Sequence, residues 1–117
     1  MQFMLMCCIE EARWLALPET ERDAVMADYR SWIAGLERAG QHRATEKLAR
    51  SGAARTLRVR DGRPVVTDGP FAETKEQLGG FHIVDCGDVD EALAIAARIP
   101  TLRVGGTIEV RPVEPRI

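Results

Sequence analysis

Residues 18–40 read PETERDAVMADYRSWIAGLERAG, the longest periodic stretch of the chain. Val25, Tyr29, Trp32, Ile33 and Leu36 fall at i, i+4, i+7, i+8 and i+11, which is one apolar stripe of an amphipathic helix. Pro18 suits a first helical turn, where its missing N–H has no intrahelical partner to lose. Glu19, Glu21 and Asp23 complement the positive end of the helix dipole, and Gly40 is a natural stop. Working outward, residues 2–9, QFMLMCCI, are a short apolar run whose length and following polar break favour a buried strand. Beyond the helix, Gln41 to Ala49 has a weak strand pattern and Ser51-Gly52 reads as a turn.

Residues 54–60, ARTLRVR, alternate cleanly, with Leu57 and Val59 on one side and Thr56, Arg58 and Arg60 on the other. Asp61-Gly62 is a strong hairpin signal between that run and Pro64 to Thr67. Asp68-Gly69-Pro70 breaks the chain, and Thr74 to Gln77 fits a capping box that would open a short helical turn. Gly79-Gly80 precedes a strand over Phe81 to Cys86. Asp88 to Glu91 is a second capping box, and Val89, Ala92, Leu93 and Ala96 give the stripe of a helix ending before Pro100. Thr107 to Val113 alternates again, Ile108 and Val110 opposing Glu109 and Arg111.

The order is strand, long helix, two or three strands, helix, strand. Two helices over one sheet, with short hairpins between, give an α+β class and a ferredoxin-like βαβ-β-αβ sandwich with right-handed crossovers. Leu57, Val59, Ile108 and Val110 are expected on the helix side, and Thr56, Arg58, Glu109 and Arg111 on the uncovered side. An uncovered face of this kind predicts a homodimer closed through the sheets, with a partly polar cavity.

The chain has 117 residues, enough for one domain spanning 1–117. Hydrophobic residues make up 45% and charged ones 29%, the balance of a globular chain. The formal charge of −2 argues against a bulk polyanion binder. Residues 43–63 do hold seven basic side chains against two acids, so nucleic-acid binding ranks third among the readings. No apolar run approaches the roughly 18–20 residues that span a bilayer. The apolar start lacks the basic region and cleavage site of a signal peptide. Three cysteines, Cys7, Cys8 and Cys86, make a poor disulfide framework and lack metal-ligand spacing, so a reducing cytoplasmic setting and no metal are expected. No phosphate-cradling glycine motif occurs, and no cofactor is expected.

The run Asp68-Gly69-Pro70-Phe71-Ala72-Glu73-Thr74-Lys75-Glu76-Gln77-Leu78-Gly79-Gly80-Phe81 resembles the signature of the DGPF-domain branch of the YciI-like (YCII-related) family. The approach Arg58 to Gly62, the helix Val89 to Ile99 and the closing Glu109-Val110-Arg111-Pro112-Val113 are similar too, so the resemblance runs from about residue 2 to 113. It implies a dimeric α+β barrel of ferredoxin-like type. Some relatives resemble muconolactone-isomerase-type enzymes that use a His-Asp pair on small ring compounds, with the histidine in the first long helix. Glu21 to Leu36 contains no histidine here. The resemblance also implies an association with extracytoplasmic-function sigma factors, through neighbouring genes.

Asp68 and Glu73 are the carboxylates a loop could aim into a cavity, where burial raises a pKa towards general acid or base work. An Asx-turn role for Asp68 and a solvated Glu73 are the plainer readings. His82 shares a strand face with Val84 and Cys86. It is a proton carrier if that face is the open one, or a satisfied core imidazole if not. Arg58 and Arg111 are candidates to clamp an anion, or else pair with Glu109. Lys75 is a candidate point charge for a carboxylate or phosphate, and Phe71 a plug or a stacking surface. Tyr29 is the one side chain of the long helix that readily donates a proton, while His42 carries no assigned chemistry. Two functions follow: a protein binding a small acidic or cyclic metabolite, working as a lyase or isomerase by general acid/base catalysis, or a non-enzymatic accessory of a sigma factor.

Overall fold

The apolar run at the start becomes β1 (Gln2–Glu10), followed by a six-residue helix α1 (Glu11–Ala16) and the long helix α2 (Glu19–Arg38). Next come β2 (His42–Lys47), a 3-10 turn at Ser51–Ala53, β3 (Arg55–Arg60), β4 (Arg63–Asp68) and β5 (Glu76–Asp85). Helix α3 (Val89–Ala96), a second 3-10 turn at Pro100–Val104 and β6 (Thr107–Pro112) complete the chain. The computed structural model describes residues 1–115.

Four strands form one antiparallel sheet in the order β2-β5-β1-β6. β1 and β2 flank β5, and β5 and β6 flank β1, so the two βαβ crossovers interleave in the ferredoxin-like manner. Residues one strand position apart face opposite sides, and Phe3, Leu5 and Val84 on the helix side are wholly buried. Burying a side chain of that size contributes about 1.5–3 kcal/mol. Trp32, Leu36, Ala92, Ala96 and Ile99 close the core from above. Trp32 Nε1–H also donates to the Ile95 carbonyl at 3.1 Å, tying α2 to α3. The stripe on α2 is as the spacing requires: Val25, Trp32 and Leu36 are buried, and Tyr29 and Ile33 pack on the core. Ile108 and Val110 join the helix side as expected.

Three expectations fail, each for a physical reason. β3 and β4 do not join the main sheet; they pair only with each other, through a turn in which Asp61 and Gly62 have φ of 51° and 74°. Leu57 and Val59 are consequently 65% and 71% exposed rather than under a helix, and Arg58 lies on the projecting ribbon, not on the open sheet face. Alternation reports an apolar face without saying what covers it. The ribbon stretches the chain to a radius of gyration of 16.2 Å, against about 13 Å for a compact chain of this length.

Second, Thr74 to Gln77 forms no helical turn. Gln77 Nε2–H donates to the carbonyls of Ala72 and Thr74, and the Thr74 hydroxyl to the carbonyl of Glu76, which holds the loop extended into β5. The capping box at α3 does form: Asp88 Oδ1 accepts from the Glu91 N–H at 2.8 Å, while Glu91 reaches back to the Gly87 N–H.

Third, Gly79-Gly80 lies inside β5 rather than ahead of it. A Cβ on Gly80 would stand 2.8 Å from the Glu46 carbonyl oxygen of β2, a backbone atom that cannot swing away. Gly80→Ala is therefore expected to destabilise by about 1–3 kcal/mol, the usual cost of overpacking. Urea titration checks it, and an unchanged midpoint would show that β2 and β5 separate freely here.

Candidate functional site

Between α2 and one end of the sheet lies a cavity of about 420 Å³, within the range of small-molecule sites. The last residues of β1 (Cys7, Cys8, Ile9), the end of β2 (Thr45, Lys47) and the middle of β5 (Gly80, His82) form its floor. Arg22, Met26, Tyr29 and Ile33 of α2 form one wall, spaced to share a helix face, and Trp14 of α1 stands at another.

A chain of side-chain contacts runs through the floor. Cys7 Sγ lies 3.2 Å from the Tyr29 hydroxyl, which is 2.5 Å from His82 Nε2. His82 Nδ1 lies 2.9 Å from Thr45 Oγ1, and that hydroxyl lies 2.7 Å from His42 Nε2. Strand register explains the alignment, because Leu5 opposes His82 in β1 and Thr45 opposes it in β2. The edge of Trp32 packs on the His82 ring, with centroids 4.9 Å apart and planes at 71°, and that of Tyr29 on Trp32 at 5.7 Å and 86°. Both rings are thus held by packing as well as by hydrogen bonds.

His82 is 3% exposed. Burial, reinforced by the nearby His42, pushes its pKa down to about 4, so the ring is neutral at neutral pH. Burial also drives the Tyr29 phenol well above its ordinary range, with Cys7 adding to the shift, and keeps it protonated. The Cys7 thiol is likewise raised, chiefly by burial, and stays a thiol. The pair is a protonated phenol beside a neutral imidazole, held at hydrogen-bonding distance in the cavity wall, with the donor set by the tautomer of His82.

The cavity also collects charge. Arg22, Lys47 and Arg50 line it together with two carboxylates, Glu11 and Glu46, and Glu11 already accepts from the Ser51 N–H at 3.3 Å. Arg22 Nε and Thr101 Oγ1 are buried without a partner among the described residues, and both residues line this cavity. Buried polar atoms are seldom left unpaired.

Of the residues singled out from sequence, His82 lies in this cavity, on the helix side of the sheet rather than the open side. Tyr29, the proton donor noted on the long helix, lines it too, whereas Asp68, Glu73, Lys75, Phe71, Arg58 and Arg111 do not. Asp68 ends β4 with its side chain 88% exposed, 3.4 Å from Arg55. Glu73 and Lys75 are exposed in the following loop. Phe71 is 80% exposed and borders a shallow groove with Pro70 and Thr56. Arg58 is exposed on the ribbon, and Arg111 pairs with Glu109 at 2.9 Å on the open face. Sequence reading missed Thr45, His42, Cys7 and Arg22. For Arg22 the signal was present, since it precedes Met26 and Tyr29 by four and seven residues on the same helix face.

The YCII-related domain model matches residues 1–116. This chain belongs to the YCII-related family. An uncharacterized protein of Rhizobium meliloti is 38% identical over 113 residues, covering 96% of this chain and 91% of its own. Among solved structures, the fold resembles that of 5-chloro-2-hydroxyhydroquinone dehydrochlorinase from Burkholderia phenoliruptrix, determined in complex with 2,5-dihydroxybenzoquinone. The TM-score is 0.58 at 15% identity, with 97% of this chain and 94% of that one covered. This likeness establishes the ferredoxin-like α+β fold of the YCII-related chain. No described helix is long and apolar enough to cross a membrane.

Proposed function

We propose that this YCII-related protein binds a small acidic or cyclic metabolite in the helix-side cavity and moves protons on it, as a lyase or isomerase. The observation that carries the reading is the 2.5 Å contact between the Tyr29 hydroxyl and His82 Nε2 in the cavity wall. A ligand hydroxyl seated against the Tyr29 oxygen gives up its proton to that oxygen while Tyr29 passes its own to His82 Nε2. The ligand is left with an oxyanion that can collapse to a carbonyl and push out a leaving group or shift a double bond. An anionic ligand helps this step, because a negative charge near His82 favours its protonated form. That a protein of the same fold acts on a chlorinated hydroxyhydroquinone supports the choice of an oxygenated ring.

Arg22 is the side chain best placed to hold a carboxylate, through the side-on fork of its guanidinium. Arg22→Gln is expected to weaken binding of a carboxylate ligand about 10- to 100-fold, since a hydrogen bond to a charged group contributes about 1.5–3 kcal/mol. Thermal-shift screening of small organic acids, lactones and hydroxylated rings finds the ligand, because binding to the folded state alone raises the midpoint. If no compound of these classes shifts the midpoint, the reading fails. Asp68→Asn combined with Glu73→Gln is expected to leave the affinity unchanged, as both carboxylates stand outside the cavity. A direct role for either, or for Arg58, Arg111, Phe71 or Lys75, requires that a second copy bring them to a ligand.

We place that second copy on the open sheet face, where Met4, Met6, Phe81 and Ile83 are half-buried in the single chain, giving a cytoplasmic homodimer. One observation favours the competing reading of a DGPF-branch accessory protein tied to a sigma factor. Leu57, Val59 and Val66 share one exposed apolar face of the ribbon, which a partner could cover. Co-purification of a sigma factor that is lost on Leu57→Ser would favour it over catalysis.

A further inference from the structure

Beyond the Tyr29–His82 pair, the contact chain continues outward to a half-exposed imidazole at the edge of the sheet. His42 begins the edge strand β2, lies 2.7 Å from Thr45 Oγ1 through its Nε2, and is partly open to solvent. Thr45 bridges it to the buried ring of His82 at 2.9 Å. A hydroxyl that bridges two imidazoles has one proton to donate, so the proton on one ring dictates where the proton sits on the other.

Two arrangements satisfy every atom of the chain. In the first, Tyr29 O–H donates to His82 Nε2, His82 Nδ1–H donates to Thr45 Oγ1, and Thr45 O–H donates to His42 Nε2. In the second, each bond is reversed: His42 Nε2–H donates to Thr45 Oγ1, Thr45 O–H donates to His82 Nδ1, and His82 Nε2–H donates to the Tyr29 oxygen. A protonated His42 carries hydrogen on both ring nitrogens and permits only the second. The first leaves the Tyr29 oxygen free to accept from a ligand. The second frees the Tyr29 O–H to donate to one.

We propose that His42 is a positioning residue which, through Thr45, selects the tautomer of His82 and so decides whether Tyr29 accepts a proton from the ligand or gives one up. This deepens the proton-transfer reading and rests on it for its consequence, though not for its geometry. His82 is buried and held neutral, so its response to a proton placed on His42 is a change of tautomer and not of charge. The titratable and charged groups nearest His42 along the chain and across the strand pairing are Arg43 and Glu46 on its own strand, Asp85 and His82 on β5, Glu37 and Arg38 at the preceding end of α2, and Glu91 of α3, reached through Gln41. Asp85 is engaged by Arg43 at 3.1 Å and Glu91 by Gln41 at 2.8 Å, and neither is bonded to the His42 ring.

Long-range ¹H–¹⁵N correlation of the imidazole rings, recorded on the whole ligand-free protein over a pH series that follows both histidines, tests this without a substrate. The expected result is that the proton-bearing ¹⁵N of His82 changes from Nδ1 to Nε2 as His42 takes up its proton. In His42→Gln, which has nothing to titrate, and in Thr45→Val, which keeps the β-branched shape but breaks the bridge, the tautomer of His82 should stay constant over the same range. A dispersed amide spectrum in either variant shows that it is folded, and one folded variant suffices. An unchanged His82 tautomer in the wild type, or a change that persists in the variants, overturns the proposal. Its failure is distinct from failure of the proton-transfer reading. A fixed tautomer with Tyr29 still required for turnover removes only the role of His42, whereas a tautomer change in a protein that transfers no proton to any bound ligand leaves the switch and removes the enzyme.

Discussion

His82→Gln and Tyr29→Phe are each expected to lower turnover of the bound metabolite by about 10²–10⁴-fold, the range that positioned acid–base groups contribute. Ligand affinity should change far less, because the Arg22 guanidinium assigned to hold the ligand is untouched. The two losses should not add. Tyr29 acts only through His82 Nε2, so the double variant is expected to be about as slow as the slower single one. Tyr29→Phe keeps the ring that packs on Trp32 and removes only the hydroxyl 2.5 Å from His82, which separates chemistry from packing. Steady-state kinetics on a ligand found by thermal shift measures both numbers. Full additivity would mean that the two residues act in separate steps.

The second large effect is on stability. Acidification from pH 6.5 to 4 should destabilise the wild type by about 3 kcal/mol more than a His82→Asn variant. An unfolded histidine titrates near 6.5, whereas the folded ring, buried and close to His42, has been pushed down to about 4. Above 6.5 both states are neutral and the ring adds no pH dependence. Between 6.5 and 4 the unfolded chain takes up a proton that the folded chain refuses, so stability falls as the pH falls, and the loss is complete below 4. The variant controls for the carboxylates, which titrate in the same window in both proteins. Urea unfolding of the two proteins at neutral and acid pH gives the difference directly, and parallel stability–pH curves would show that His82 is protonated as easily inside the fold as outside it.

How much of this was legible in the sequence depends on whether the signal was local. The stripe from Val25 to Leu36 fixed α2 and its buried face, since a helix repeats its contacts every few residues along one segment. The β6 alternation oriented its strand correctly from equally local information, and the apolar run at residues 2–9 became a buried strand as its length suggested. The ribbon of β3 and β4 shows the limit. Its pattern and its Asp61-Gly62 turn were plain, but nothing within residues 54–67 encodes whether Leu57 meets a helix or water. The site shows a stricter limit. Tyr29 and His82 are 53 positions apart, and Thr45 is 37 from His82, so their meeting depends on strand register. Thr45 sits in the stretch with the weakest pattern of the chain. The carboxylates of the loop after β4 drew attention because the motif around them is distinctive. Gln77 and Thr74 show a structural use for part of that motif, holding the loop as it enters β5.

Proton movement between Tyr29, His82 and a bound ligand is read by solvent deuterium uptake. A ligand identified by thermal shift is incubated with the protein in deuterated water, and its carbon-bound hydrogens are followed by mass spectrometry or NMR. Uptake of deuterium, or release of a leaving group with deuterium in the product, by the wild type but not by Tyr29→Phe at matched occupancy is the result predicted. A ligand that fills the cavity yet gains no deuterium and loses no group, or one that does so equally well with Tyr29→Phe, would contradict it.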